Sequence, residues 1–221
     1  MSERVTIAIL TRDRLPHLRR CIEAVRCQLD PAGEILLVDT GSQDGTREWL
    51  STEKPEQVCW CPAPAEAAGS YASARNFAID QAQGEYLVFL DDDCTPAPGW
   101  LGRMVSGMNA WVAVGGAVLP AREYRWPWWW SPELLWAIGM SAPGLLRGEA
   151  DAYPATANMG ARIGVWRERR FGESRAGFDS SNVYLAGRED AEWWAAARRD
   201  GLDVRVDPEA VVHHDVPDSR L

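Results

Sequence analysis

Lysine is almost missing from this chain: of its 23 basic residues only Lys54 is one, and the rest are arginine. Any phosphate held by a side chain therefore falls to arginine, which grips two oxygens at once, or to backbone amides. Cysteine is sparse and odd in number, at Cys21, Cys27, Cys59, Cys61 and Cys94, with no Cys-x-x-Cys pair. That argues against a disulfide framework or a zinc ribbon; Cys59 and Cys61, alternating along a short strand, read as reduced core residues on one face. No apolar run approaches the roughly 18 residues that span a bilayer, and no basic-then-apolar leader precedes the first strand. The expectation from these absences is a soluble, cytoplasmic protein without a transmembrane segment. Positive charge is also short: a formal net charge of −9 disfavours nucleic acid or an anionic membrane as a general partner.

What is present is a core-forming chain, 221 residues with 46% hydrophobic, enough for one large α/β domain. Tyr86 to Leu90 is a continuous apolar run between Gly84 and Asp91-Asp92-Asp93, the pattern of a buried parallel strand that ends in three carboxylates. Open α/β sheets bind ligands at that end. Three adjacent carboxylates repel one another, so a site that keeps them needs a compensating cation, and hard oxygen ligands suit Mg2+ or Mn2+. A solvated acidic turn is the plainer alternative.

The alternation begins earlier. Val5 to Leu10 runs into the polar loop Thr11-Arg12-Asp13-Arg14, and Leu15, Leu18, Ile22, Val25 and Leu29 follow at helical spacing. Ile35 to Val38 is a second buried strand; it ends at Asp39, before a loop rich in glycine and capping residues. Val58 to Cys61 is a weaker third. Ala67 to Gln83 reads as an Ala-rich helix with Tyr71, Ala74, Phe77, Ala78 and Ala82 on one face and Ile79 off it. Pro98 to Met108 is helical and leads to a strand over Val112 to Val118. Two further short strands, Leu202 to Val206 and Pro208 to Val212, precede His213-His214.

Thr-x-x-Arg after the first strand, Leu-Val-Asp-x-Gly-Ser-x-Asp-Gly-Thr after the second, then Ala-Arg-Asn and Phe-Leu-Asp-x-Asp, together resemble the family-2 glycosyltransferases. The resemblance implies the GT-A fold, a Rossmann-like α/β architecture with a mostly parallel central sheet flanked by helices. It implies a nucleotide-sugar half over residues 1–119 and an acceptor-binding, catalytic half over 120–221 of the same domain. Carried over residue by residue, it puts Asp39 on the base and Thr11 and Arg75 along the nucleotide pocket. Asp92 or Asp91 falls on the ribose, and Asp93 on a Mn2+ or Mg2+ ion. Asn158 faces the donor sugar, Asp190 is the general base beside Glu189, and His214 is a further metal ligand with His213 as alternative. The activity so implied is metal-dependent, inverting transfer from a nucleotide-diphospho-sugar, a UDP-sugar favoured, to an apolar or sugar acceptor.

Each residue also has a plain reading: Asp39 as a turn cap, Arg75 as a solvated helix charge, Asn158 as a cap, Glu189 and Asp190 as first-turn acids favoured by the helix dipole. Two rival functions stand beside the first. Asp91-x-Asp93-x-Thr95 matches the start of a haloacid-dehalogenase-type phosphohydrolase, but the lysine that chemistry needs downstream is missing, since Lys54 lies upstream. A catalytically silent nucleotide-sugar or glycan-binding module is the other. Finally, Trp126-Pro127-Trp128-Trp129-Trp130 and Trp136 form a stretch too aromatic for one small core. Among a satellite core, a membrane-interface anchor and an acceptor-side lid, the lid is the favoured reading, because aromatic faces suit sugar rings.

Overall fold

The computed structural model describes residues 4–53, 55–124, 128–147, 153–172 and 189–216. The first half alternates strand and helix as its apolar periodicity dictates: β1 (Val5–Thr11), α1 (Leu15–Arg26), β2 (Glu34–Asp39), α2 (Thr46–Glu53), β3 (Val58–Pro62), α3 (Tyr71–Gln81) and β4 (Tyr86–Asp91). The short β5 (Cys94–Pro96), α4 (Trp100–Ala110) and β6 (Ala113–Pro120) follow. Beyond them lie a 3-10 helix over Pro132–Ile138, α5 (Pro143–Leu146), β7 (Asn158–Arg162), α6 (Ile163–Glu168), α7 (Glu189–Arg199) and β8 (Val204–His214).

The strands form one sheet in the order β3-β2-β1-β4-β7-β6-β8-β5. Its N-terminal part, β3-β2-β1-β4, is parallel throughout. The expected mostly parallel sheet is borne out, with antiparallel additions beyond that half: β7 runs antiparallel to both β4 and β6, and β5 antiparallel to β8, while β6 and β8 are again parallel. Successive strand residues point to opposite faces, and the two faces are separately filled. Ile7, Ile9, Ile35, Leu37, Val88 and Leu90 pack with α1 and α4. Ala8, Leu36, Val38, Leu87 and Phe89 pack with α3, α6 and α7, where Trp166 meets Phe89 edge-on at 5.2 Å.

Three local expectations are revised. Ile79 belongs to the buried stripe of α3, which runs through Ala72, Arg75 and Ile79 beside Ala74 and Ala78. The alanines allow close approach to the sheet, and Tyr71 and Phe77 are pushed to its flank, half-buried. Cys59 is exposed, because β3 is an edge strand; all five cysteines are free thiols. The two runs around Pro208 are one strand, β8, whose register against β6 shifts between Gly116 and Ala117. Proline cannot donate to a ladder, so it sits in the bulge instead of ending the strand. Gly116 is required there, since a Cβ would lie 2.1 Å from the Ala210 carbonyl oxygen and 2.2 Å from Asn158 Nδ2.

Candidate functional site

The parallel register brings three strand ends to one edge, with Thr11 beside Asp39 and Leu10 beside Asp91. β8 arrives at the same place from the other half, because Cys94 is the cross-strand partner of His214. The carboxylates therefore gather without any one loop having to carry them all.

One compensating cation is already built into the chain: Arg14. Its Nη1 lies 3.3 Å from Asp92 Oδ1 and is paired still more tightly with Asp93 Oδ2. Thr11 Oγ1 donates to Asp92 at 2.7 Å. His214 Nε2 lies 3.2 Å from the other oxygen of Asp93, Oδ1, with both side chains buried. Of the two candidate histidines it is His214 that faces the acids; His213 lies opposite Thr95, its Nδ1 3.4 Å from the Pro120 carbonyl. The acids differ in charge state. Burial pushes Asp93 up, but the hydrogen bond and charge of His214, with Arg14, outweigh it and hold Asp93 down at about 2. Burial lifts Asp92 to about 7 against the opposing charge of Arg14. Burial and then Asp93 raise Asp91.

A second cluster stands on α3 and α7. Arg75 and Glu189 form a buried ion pair, and the guanidinium lies over the rings of Tyr71 and Phe171 at 5.4 and 5.7 Å. Arg75 is thus no solvated helix charge, and Glu189 holds Arg75. Next to it Asp190, partly exposed, accepts from the backbone N–H of Thr156 at 3.2 Å and of Ala191 at 2.7 Å. Burial and the Glu189 charge raise Asp190 to about 6, with Arg75 opposing. The charge of Arg75 also lowers Asp91, so the two clusters share one field.

Two expected donor contacts are placed differently. Asp39 is wholly buried as a loop builder: Oδ1 accepts from the N–H groups of Gly41 and Ser42 at 3.1 and 2.8 Å, and Oδ2 pairs with Arg47. Burial pushes it up, yet the loop N–H groups and Arg47 hold it below the usual carboxylate range. Asn158, expected to face the donor sugar, is engaged within the fold. Its Nδ2 donates to the carbonyls of Ala117 and Ala210 at 2.9 and 2.7 Å, and its Oδ1 accepts from Trp100 Nε1 at 2.8 Å. With no surface exposed, it clips β6, β7, β8 and α4 together, all of these contacts being within the protein. Sequence reasoning passed over Arg14, whose only signal was its place three residues after Thr11, and Arg47, which had none.

The 3-10 helix carries Trp136, 65% exposed, and follows Trp128 and Trp129 at 96% and 57%. Trp126 and Pro127 lie outside the described residues. Trp130 and Leu135 instead pack on a small cluster of Ile138, Met140 and Val216, just past His214. Gly139, at φ 77°, closes that helix against the His214 ring, where a Cβ would stand 3.1 Å from Cε1. The segment that carries the exposed tryptophans is therefore anchored at Gly139 beside His214.

Comparison with known proteins gives the family and the fold. Glycosyltransferase AglE of Haloferax volcanii is 38% identical over 130 residues, 56% of this chain and 40% of that protein. Succinoglycan biosynthesis protein ExoM of Rhizobium meliloti is 25% identical over 224 residues, 98% of this chain and 67% of its own. Among solved structures, mannosyltransferase PcManGT of Pyrobaculum calidifontis, in complex with GDP-Man and Mn2+, superposes with a TM-score of 0.69 at 20% identity over 99% of this chain and 58% of that one. TarS 1-349 of S. aureus gives 0.68 at 14% identity over 96% and 60%. These are the GT-A fold; the chain spans 40% to 60% of the length of AglE and of the two solved chains. The model described as glycosyl transferase family 2 matches residues 6–168. That match runs from β1 through α6, taking in every strand of the parallel half, and on it the chain belongs to glycosyl transferase family 2.

Proposed function

We propose that this chain is the donor-binding and catalytic module of an inverting glycosyltransferase that moves a sugar from a nucleotide-diphospho-sugar to an acceptor hydroxyl. The observation that carries the reading is the meeting, at one sheet edge, of Asp93 with His214 and of Arg75 with Glu189 and Asp190. Asp190 is the base. Partly exposed and raised to about 6, it is ionised at neutral pH and basic enough to take a proton from the acceptor hydroxyl as that oxygen attacks the anomeric carbon. The nucleoside diphosphate leaves from the opposite face, and one displacement inverts the configuration.

The donor set fits a divalent ion: a carboxylate oxygen and an imidazole nitrogen, buried and 3.2 Å apart, at the end of two strands. Asp93 and His214 would hold Mn2+ or Mg2+, which when bound offsets negative charge on the diphosphate. Arg14 keeps Asp92 and Asp93 in place, and Thr11 orients Asp92 toward the ribose. Asp39 meets the base after Arg47, its half-exposed partner, turns away. A UDP-sugar is the favoured donor, and the exposed tryptophans are the acceptor side. A reducing, cytoplasm-facing setting fits the free thiols, and no helix among the described residues is long and apolar enough to cross a membrane. The phosphohydrolase reading is set aside with the family assignment, and its nucleophile, Asp91, is pushed toward the protonated form.

The test combines a thermal-shift panel of nucleotide-sugars, with and without Mn2+, and Asp190→Asn. Donor-dependent stabilisation should persist in the variant, while nucleoside diphosphate release during transfer falls about 100-fold or more. Undiminished release removes Asp190 from the mechanism, and a product of retained configuration removes the single displacement.

A further inference from the structure

Asp93 divides its two oxygens. Oδ2 is paired with Arg14, whereas Oδ1 faces two other potential ligand atoms, His214 Nε2 at 3.2 Å and Cys94 Sγ at 4.0 Å. The placement of the sulfur follows from the register. Cys94 and His214 stand directly opposite each other in the antiparallel β5–β8 pair, and directly opposed residues project from the same face. The neighbouring carboxylate belongs to the turn that leads into β5, so Asp93, Cys94 and His214 converge, with one ligand atom from each within 4.8 Å of the others and all three side chains buried. The second buried thiol, Cys21, is turned to the Asp91 carbonyl at 3.6 Å.

We propose that Cys94 is a third protein ligand of this metal site, so that the chain takes an ion with affinity for sulfur, such as Zn2+ or Co2+, more tightly than Mg2+. The inference rests on the metal reading above and adds the ion's class to it. Thiolate, imidazole and carboxylate form a mixed set that selects late first-row ions, whereas Mg2+ demands oxygen alone. Bond lengths of about 2.0–2.3 Å to a tetrahedral ion would set ligand atoms roughly 3.3–3.6 Å apart, close to the spacing already present, with every pair within 4.8 Å. Three protein ligands leave the fourth position for an oxygen of the donor. On binding, the S–H bond breaks, a sulfur–metal bond forms, and the proton passes to solvent.

Cobalt titration of the intact chain reads this without any turnover. The expected result is a near-ultraviolet sulfur-to-cobalt charge-transfer band that saturates with one ion, is absent in Cys94→Ser and persists in Cys59→Ser. Chelator competition should show Zn2+ preferred over Mg2+, with that preference falling about 10–100-fold in Cys94→Ser. Denaturation in EDTA checks that Cys94→Ser is folded. If it is not, Asp93→Asn serves, since weakening the same site must reduce the band at a fixed cobalt concentration. Cobalt bound without the band overturns Cys94 as ligand and leaves Asp93 and His214 standing. A band that disappears in Cys59→Ser, or is unchanged in Asp93→Asn, places the sulfur elsewhere and also overturns it. No cobalt binding at all removes the metal reading together with this one.

Discussion

Replacing Arg75 by methionine removes a guanidinium that is 6% exposed and leaves the Glu189 carboxylate, 2% exposed, without a countercharge. Breaking a buried pair from one side costs about 3–5 kcal/mol, because the remaining charge stays desolvated. The lost contacts to the Tyr71 and Phe171 rings add about 0.5–1 kcal/mol each at most. Arg75→Met should therefore lie at the upper end of the range. Glu189→Gln, which leaves the arginine over its two rings, should lie at the lower end. The double variant should recover part of the loss, with a coupling of about 2 kcal/mol or more. Urea denaturation of the four chains measures this. The same four chains carry a second readout in the carboxyl 13C shift of Asp190 against pH. Glu189 raises Asp190 and Arg75 lowers it, so Arg75→Met should move its titration above 6 and Glu189→Gln below. Single variants costing under about 1 kcal/mol and combining additively would refute the ion-pair reasoning. So would Asp190 titrations that shift the same way in both.

Asp190 itself makes a pH prediction: its folded value, about 6, lies above the ordinary 3.8, so protonation favours the fold, a contribution complete below pH 4 and lost as pH rises through 6. Asp190→Asn should thus be more stable than the unsubstituted chain at pH 8 by about 1–2 kcal/mol, discounted for partial exposure, with the difference closing in urea melts at pH 4. Asn158→Ala strands two carbonyls and the Trp100 indole N–H, for an expected loss of about 3 kcal/mol or more; a donor-affinity defect without such a loss would contradict the clip. Trp128→Ala with Trp129→Ala should change stability by about 0.5 kcal/mol or less, given their exposure, and raise the acceptor KM; a large fall in melting temperature with unaltered acceptor kinetics would place them in the core. Asp93→Asn should weaken nucleoside diphosphate binding in Mn2+ by calorimetry, and equal affinities of the unsubstituted chain in EDTA and in Mn2+ would dismiss the ion.

The parallel half was legible because each of its features is local. The runs Val5–Leu10, Ile35–Val38 and Tyr86–Leu90 announce buried parallel strands, and the acids that follow them fall at one edge once the sheet is in register. The partners of those acids were not legible. Arg14 and Asp93 are 79 residues apart, and Arg75 and Glu189 are 114 apart, so neither pair has a signature in its own neighbourhood. The internal partners of Asn158 were hidden for the same reason. Its three partners lie 41 to 58 residues away, and they exist because Gly116 admits a bulge that a strand pattern does not encode. Ile79 was lost to an argument about large residues on a helix whose contact face is made of small ones.

Among the described residues, the small cluster that tethers the tryptophan segment has three buried members, Ile138, Met140 and Val216. At about 1.5–3 kcal/mol per buried side chain, it holds the segment far less firmly than the sheet holds its own strands. Amide protons from Leu134 to Met140 should consequently exchange by a local opening, long before those of Ile7, Ile35 or Val88, which wait for the whole domain to come apart. Because Gly139 rests on the His214 ring, each such opening also lifts the cover from that imidazole. Whatever grips the outward-facing tryptophans thereby sets how often His214 is reached by solvent.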